Sequence, residues 1–219
     1  MDKPILDSWN KNAEEWIKII DNDKIPSRVF TNKAIIKAIE KDSGEKILDI
    51  GCGEGWLTRS ISNMGKHAVG FDATEALLKN ARKKGSEEYY NITYDEIVNG
   101  KAHPLAPFDT AIFNFSLYQE KGLETLLKKV KELLTSNGTI IIQTLHPYFL
   151  IANGGNYQSR SISDSWKGLP GNFTDGHDWY ARTFEDWTKV INVAGLHIID
   201  LREVTNNENT PISLIIKAS

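Results

Sequence analysis

The stretch Lys46-Ile47-Leu48-Asp49-Ile50-Gly51-Cys52-Gly53-Glu54-Gly55-Trp56-Leu57-Thr58 constrains this chain more than any other. A short apolar run breaks on three alternating glycines and resumes with residues that suit a helix, which reads as a buried strand, a tight turn and a helix start. Glycine has no Cβ, so Gly51 and Gly53 permit unusual backbone angles. They also let a ligand approach the main chain, where the free amides of a helix N-terminus point outward. Such a turn fits a nucleoside-type ligand. The dinucleotide pattern G-x-G-x-x-G fails, because Trp56 stands where its third glycine would pack helix against strand. A phosphate-cradling P-loop fails as well, since no G-K-[ST] follows.

What remains is D-x-G-x-G-x-G. Asp49 to Gly55 resembles motif I of the class I S-adenosylmethionine-dependent methyltransferases, and a second signal supports the likeness. Val69-Gly70-Phe71-Asp72-Ala73 is an apolar strand that ends in an acid 21 residues after Gly51. An acid at that place in a nucleoside-binding βαβ unit can accept hydrogen bonds from ribose hydroxyls. The resemblance gives that task to Asp72, beside Ala73, and places Asp49, Gly51, Cys52 and Gly53 along the rest of the cofactor. It puts Asp95, with Glu96 as the alternative, at the adenine amino edge. Phe108-Asp109-Thr110-Ala111-Ile112-Phe113-Asn114-Phe115-Ser116-Leu117-Tyr118 resembles motif IV and its following segment, which adds Asn114 and Phe115 to the cofactor site. Many relatives carry histidine where this chain has Tyr118, so Tyr118 is expected to line the methyl-transfer site rather than act as a base. The Asn/Asp-Pro-Pro-aromatic signature of enzymes that methylate base amino groups is absent.

The 219 residues suit one domain with additions. A net charge of −3 without a basic stripe speaks against nucleic acid and anionic membranes as partners. The single cysteine, Cys52, excludes an internal disulfide and a cysteine cluster for zinc, and suits a small position in a tight turn. No apolar run approaches membrane-spanning length, and the first residues lack a signal-peptide core. A cytoplasmic monomer or homodimer without a metal is expected.

Along the chain, helices are expected over 8–20 and 31–41, forming an N-terminal cap (1–43). A cofactor-binding core (44–145) follows, with strands at 46–50, 67–71, 89–93, 108–113 and 139–145 and helices after the glycine turn, at 74–84 and at 122–135. Alternating strands and helices predict an α/β, Rossmann-like, doubly wound sheet, mostly parallel with right-handed crossovers. Periodicity fails from His146 to Arg182. That stretch is long and rich in aromatics, which suits a substrate-covering insertion better than disorder. A helix at 184–194 and strands at 196–204 and 211–217 close the chain (183–219). The family's closing hairpin has this form, and it brings the sheet to seven strands with an antiparallel last strand.

The implied cofactor, S-adenosylmethionine, carries the hard chemistry, leaving alignment to the protein. The expected reaction is in-line methyl transfer to a small-molecule acceptor. Where the acceptor must lose a proton, a histidine is the usual base. His146 at a strand end is the first candidate, with His177 and Tyr180 behind it. An RNA or protein methyltransferase, and a cofactor-binding regulator without turnover, are the other classes the sequence leaves open.

Overall fold

The computed structural model describes residues 3–152 and 154–219. Two helices, α1 (Lys3–Asp21) and α2 (Arg28–Asp42), precede the sheet. Both begin earlier than helical spacing indicated. Pro4 lies in the first turn of α1, where its missing N–H costs nothing, so Ser8 stands inside the helix instead of capping it. The strands β1 (Lys46–Ile50), β2 (His67–Asp72), β3 (Glu88–Asn91), β4 (Phe108–Asn114), β5 (Leu134–Leu145), β8 (Ile198–Thr205) and β9 (Pro211–Ala218) form one sheet. Its order is β3-β2-β1-β4-β5-β9-β8. The pairs among β3, β2, β1, β4 and β5 are parallel, and β9 runs antiparallel to both its neighbours.

Side chains alternate across this sheet, and the two faces build two cores. Leu48, Ile50, Ala111, Phe113, Ile140, Ile142, Leu214 and Ile216 share one face with helices α5 (Tyr94–Val98), α6 (Leu123–Lys131) and α8 (Phe184–Val193). Ile47, Ile112, Ile141 and Ile215 point the other way, onto α2 and α3 (Trp56–Asn63). Helix α4 (Glu75–Lys84) sets Leu78 and Ala81 against Cys52 and Tyr89. The strand order reverses between β1 and β4, and the crevice at such a switch point, beyond the carboxyl ends of the strands, is where open α/β sheets bind ligands.

Two further differences from the sequence expectation stand out, the first with a local cause. The strand expected over 89–93 stops at Asn91, because Thr93 caps α5: its side chain accepts from Glu96 N while the Glu96 carboxylate accepts from Thr93 N at 2.9 Å. The stretch 146–182 is not without structure. It holds a short helix α7 (Phe149–Ala152) and an antiparallel pair, β6 (Arg160–Ile162) with β7 (Trp179–Ala181). Between β6 and β7 the chain crosses to α1. Asn12 hydrogen bonds with Thr174 through both side-chain atoms, at 2.7 and 2.9 Å, and Trp166 Nε1 donates to Ser8 Oγ at 2.9 Å.

Candidate active site

At the end of β1 the chain turns through Gly51 (φ 77°) and Gly53 (φ 58°), left-handed angles that L side chains rarely adopt. A Cβ on Gly51 would overlap Ser116, whereas one on Gly53 would meet nothing within 4 Å. The first glycine therefore serves close packing, and the second leaves main chain bare to an incoming ligand. Gly55 takes the packing role that the dinucleotide pattern gives its third glycine: a Cβ there would lie 2.5 Å from Tyr89 Oη.

Three acids surround this turn. Asp49 is 1 % exposed and accepts from Thr58 Oγ1 at 2.7 Å. Burial, joined by the charges of Asp72 and Glu54, raises its pKa to about 7. The buried Glu54 is held by Arg59 at 2.7 Å. Asp72 accepts from Gly53 N at 2.8 Å through one oxygen and from Thr74 N at 2.7 Å through the other, and burial raises its pKa too. A carboxylate offers about four lone-pair sites, so two amide bonds leave acceptor capacity for hydroxyls. Ala73 lies between these bonded positions.

Beside the turn, the segment after β4 is bolted to its neighbours. Phe115 has a left-handed backbone (φ 52°) and its N–H donates to Gln143 O at 2.8 Å. Ser116 Oγ donates to Ile50 O, and Tyr94 Oη donates to Ser116 O, each at 2.8 Å. A non-glycine residue held at positive φ at a strand end is the kind of strain that clusters at functional sites. Asn114 Oδ1 is buried with no hydrogen-bond partner. A loop bare at Gly53, an acid with spare lone pairs, an orphaned amide oxygen and a surplus of negative charge together fit a hydroxyl-bearing, cationic nucleoside.

A family model described as a methyltransferase domain matches residues 41–196, most of the chain. The chain belongs to the class I S-adenosylmethionine-dependent methyltransferases. An uncharacterized methyltransferase of Schizosaccharomyces pombe is 25 % identical over 175 residues, covering 76 % of this chain and 64 % of that protein. The ubiquinone biosynthesis O-methyltransferase of Glaesserella parasuis is 30 % identical over 126 residues, 52 % of either chain. Among solved structures, the 1,6-didemethyltoxoflavin-N1-methyltransferase of Burkholderia thailandensis, with 1,6-didemethyltoxoflavin and S-adenosylhomocysteine bound, superposes with a TM-score of 0.70. That match covers 98 % of this chain and 86 % of the other at 15 % identity, a likeness of fold.

In this methyltransferase the sequence candidates separate. Asp49, Gly51, Cys52, Gly53, Asp72, Ala73, Asn114 and Phe115 gather at the ends of β1, β2 and β4. Cys52 is buried with its thiol pKa well above the ordinary value, an inert packing residue in the turn. Asp95 is exposed in the first turn of α5. Glu96 caps the helix: its carboxylate accepts from Thr93 and pairs with Lys101 at 2.5 Å, which holds its pKa low, so we propose Asp95 rather than Glu96 for the adenine edge.

His146 is engaged on both ring nitrogens. Tyr148 N donates to its Nδ1 at 3.0 Å, so the ring proton sits on Nε2 and is donated to Glu203 at 2.8 Å. No lone pair is left for a proton from a third group. Tyr180 shares a narrow cleft with His146, and Arg182 stacks over its ring at 4.8 Å. Its backbone is fixed: Tyr180 N donates to Tyr118 O at 2.8 Å, while buried Arg182 donates to the carbonyls of Gln119 and Glu120 at 3.0 and 2.7 Å. Strand β7 thus clamps the segment that carries Tyr118. The Tyr118 hydroxyl bonds Phe115 O, and its ring lies 6.1 Å from Trp9 and 4.9 Å from His177.

Arg28, half-buried, lies over the Trp56 ring at 4.7 Å, beside the glycine turn. Sequence reasoning missed Thr58, Arg59 and Tyr94. The Thr93-x-x-Glu96 spacing is a readable capping-box signal. The carbonyls that Arg182 serves lie more than 60 residues away, and its neighbourhood in sequence offers only Asp186, four residues on. Among the described residues no group of three His, Cys, Asp or Glu side chains could hold a metal ion, and no helix is long and apolar enough to cross a membrane.

Proposed function

We propose that the chain transfers a methyl group from S-adenosylmethionine to a small-molecule acceptor by in-line displacement. The observation that carries this reading is Gly53, open on its Cβ side and bonded through its N–H to Asp72: main chain accessible to a ligand next to a carboxylate with lone pairs to spare. In this reading Asp72 accepts the ribose hydroxyls, the Gly51–Gly53 main chain lies along the cofactor, Asp49 supplies negative charge beneath it, and Asn114 and Phe115 bound it on the β4 side. Bound there, S-adenosylmethionine supplies a methyl group already made electrophilic by its sulfonium.

The protein's own work is placement and dryness. Holding a nucleophile in line can contribute on the order of 7–11 kcal/mol, without an intermediate on the enzyme. Trp9 and Trp166 pack edge to face at 4.7 Å, and Trp166 stacks on Phe173 at 4.6 Å, so α1 and the insertion form an aromatic wall next to Tyr118. Such a wall suits a compact organic acceptor. The small-molecule substrates in the names of the ubiquinone and toxoflavin enzymes agree with it.

Calorimetric titration with S-adenosylmethionine and S-adenosylhomocysteine tests the reading. Wild-type protein should bind both at micromolar concentration. Asp72→Ala should lose roughly 10- to 100-fold, the value of one or two hydrogen bonds to a charged group. Folded wild-type protein that binds neither would overturn the proposal.

A further inference from the structure

His177 lies on the approach to β7, 4 % exposed, and its two ring nitrogens stand in different situations. Nδ1 is 2.8 Å from the carbonyl oxygen of Asp178. A carbonyl only accepts, so Nδ1 carries the proton and Nε2 carries the lone pair. Nε2 is buried and has no hydrogen-bond partner. Buried polar atoms are nearly always satisfied, so this lone pair calls for a donor from outside the protein. Its surroundings indicate which donor. The ring packs against Tyr118 at 4.9 Å, Trp166 at 5.7 Å and Trp9 at 6.4 Å. Tyr118 in turn is tied to Phe115 at the end of β4.

We propose that His177 Nε2 takes the proton from the methyl acceptor, and that the acceptor is a planar aromatic or heteroaromatic molecule bearing an O–H or N–H. The inference rests on the methyltransferase reading above. The acceptor oxygen or nitrogen forms its bond to the methyl carbon while the carbon–sulfur bond breaks and leaves its electron pair on sulfur. The acceptor's proton passes to Nε2. The resulting imidazolium keeps its Nδ1–H on the Asp178 carbonyl and later releases the Nε2 proton to water. The titratable groups facing the ring are Tyr118, from the segment after β4, and Asp178, from its own segment; α1 and the insertion present the uncharged Trp9 and Trp166. Burial pushes the His177 pKa below its ordinary value and the Tyr118 phenol well above its own, so near neutral pH the imidazole is the competent base and the phenol is not.

Two readouts test this. In nitrogen-15 NMR of the protein saturated with S-adenosylhomocysteine, the His177 signals, assigned by their loss in His177→Asn, should show the neutral Nδ1–H tautomer at pH 7. Protonation should begin only below the usual histidine range. An Nε2–H tautomer, or a ring charged at pH 7, would overturn the proposal, and this decides even if no acceptor has been found.

In the second readout, S-adenosylhomocysteine formation is followed with catechol and indole, which can shed a proton, and with pyridine, trimethylamine and dimethyl sulfide, which cannot. Turnover should be confined to the first group. In His177→Asn, kcat should fall roughly 10²- to 10⁴-fold, the acidic limb of the pH–rate profile should vanish, and S-adenosylmethionine affinity should stay within about twofold. Turnover of the proton-free acceptors, or an undiminished rate in the variant, counts against the assignment. His177→Gln serves if thermal melting shows that the asparagine variant is unfolded. Wild-type protein that binds no S-adenosylmethionine would remove the functional reading itself, a result separate from the tautomer.

Discussion

Replacing Asp49 by asparagine should stabilise the ligand-free protein at alkaline pH and weaken its hold on a cation. The carboxyl is 1 % exposed, and burial is the largest cause of a pKa raised from 3.8 to about 7. Between those values the folded protein holds a proton that the unfolded chain has released. The unfolded state therefore binds fewer protons, and stability falls as pH rises through this window. A shift of about three units, at about 1.36 kcal/mol each, gives a loss of about 4 kcal/mol between pH 4 and pH 8. Asparagine does not titrate, and its side-chain oxygen can keep the hydrogen bond from Thr58.

Urea unfolding of both proteins without ligand, at intervals from pH 5 to pH 8, should show Asp49→Asn gaining on wild type by roughly 2–3 kcal/mol across the range. Glu15, Glu88 and Glu96, whose pKa values are lowered, titrate in both proteins and cancel in the difference. Any pH-independent cost of burying the new amide cancels from the slope. A difference that does not change with pH would refute the reasoning. With ligand, wild-type affinity for S-adenosylmethionine should rise from pH 6 to pH 8 more steeply than affinity for the uncharged thioether of S-adenosylhomocysteine, and Asp49→Asn should abolish that contrast.

Two further predictions concern the supports of the site. Arg182→Met leaves the Gln119 and Glu120 carbonyls without their donor and Asp186 without its cation at 3.6 Å, so urea unfolding should show a loss of about 2–4 kcal/mol; a loss within error would mean that the clamp on the Tyr118 segment is not a structural support. Thr93→Ala should cost about 1 kcal/mol and speed amide exchange at the start of α5. Glu96→Gln should bind S-adenosylmethionine as wild type does, and lost binding would return Glu96 to the adenine edge.

The glycine turn and the acids beside it were legible because their constraints are local. Gly51 and Gly53 declare positive φ wherever they stand, and Asp49 and Asp72 sit at the ends of apolar runs whose period identifies strands. The proposed acceptor side depends on contacts no window of sequence contains. His146 and His177 look alike in the sequence. What separates them is a glutamate 57 residues from one, and a neighbouring carbonyl that leaves the other with a bare nitrogen. The wall around His177 is tied together where Asn12 and Ser8 reach Thr174 and Trp166, about 160 residues along the chain. Even the segment after β3 misread as strand had a local cause, since the Thr93–Glu96 capping box overrode the β preference of its neighbours.

The acids around the glycine turn follow from the same division. Asp49 and Glu54 are each 1 % exposed, and Asp49 feels the charges of both Glu54 and Asp72. Selection for stability alone would not keep an uncompensated carboxyl under a loop, because burying a charge without a full partner costs several kcal/mol. Arg59 offsets Glu54, and backbone amides offset Asp72, but Asp49 is met by neutral donors, the hydroxyl and the backbone amide of Thr58. In the proposed reading a positive charge bound on the open side of Gly53 would supply what those neutral donors do not. On this account the ligand-free protein is less stable than it could be at neutral pH. The deficit is recovered when a cation binds, which gives the site preference for a sulfonium over the neutral product that must leave.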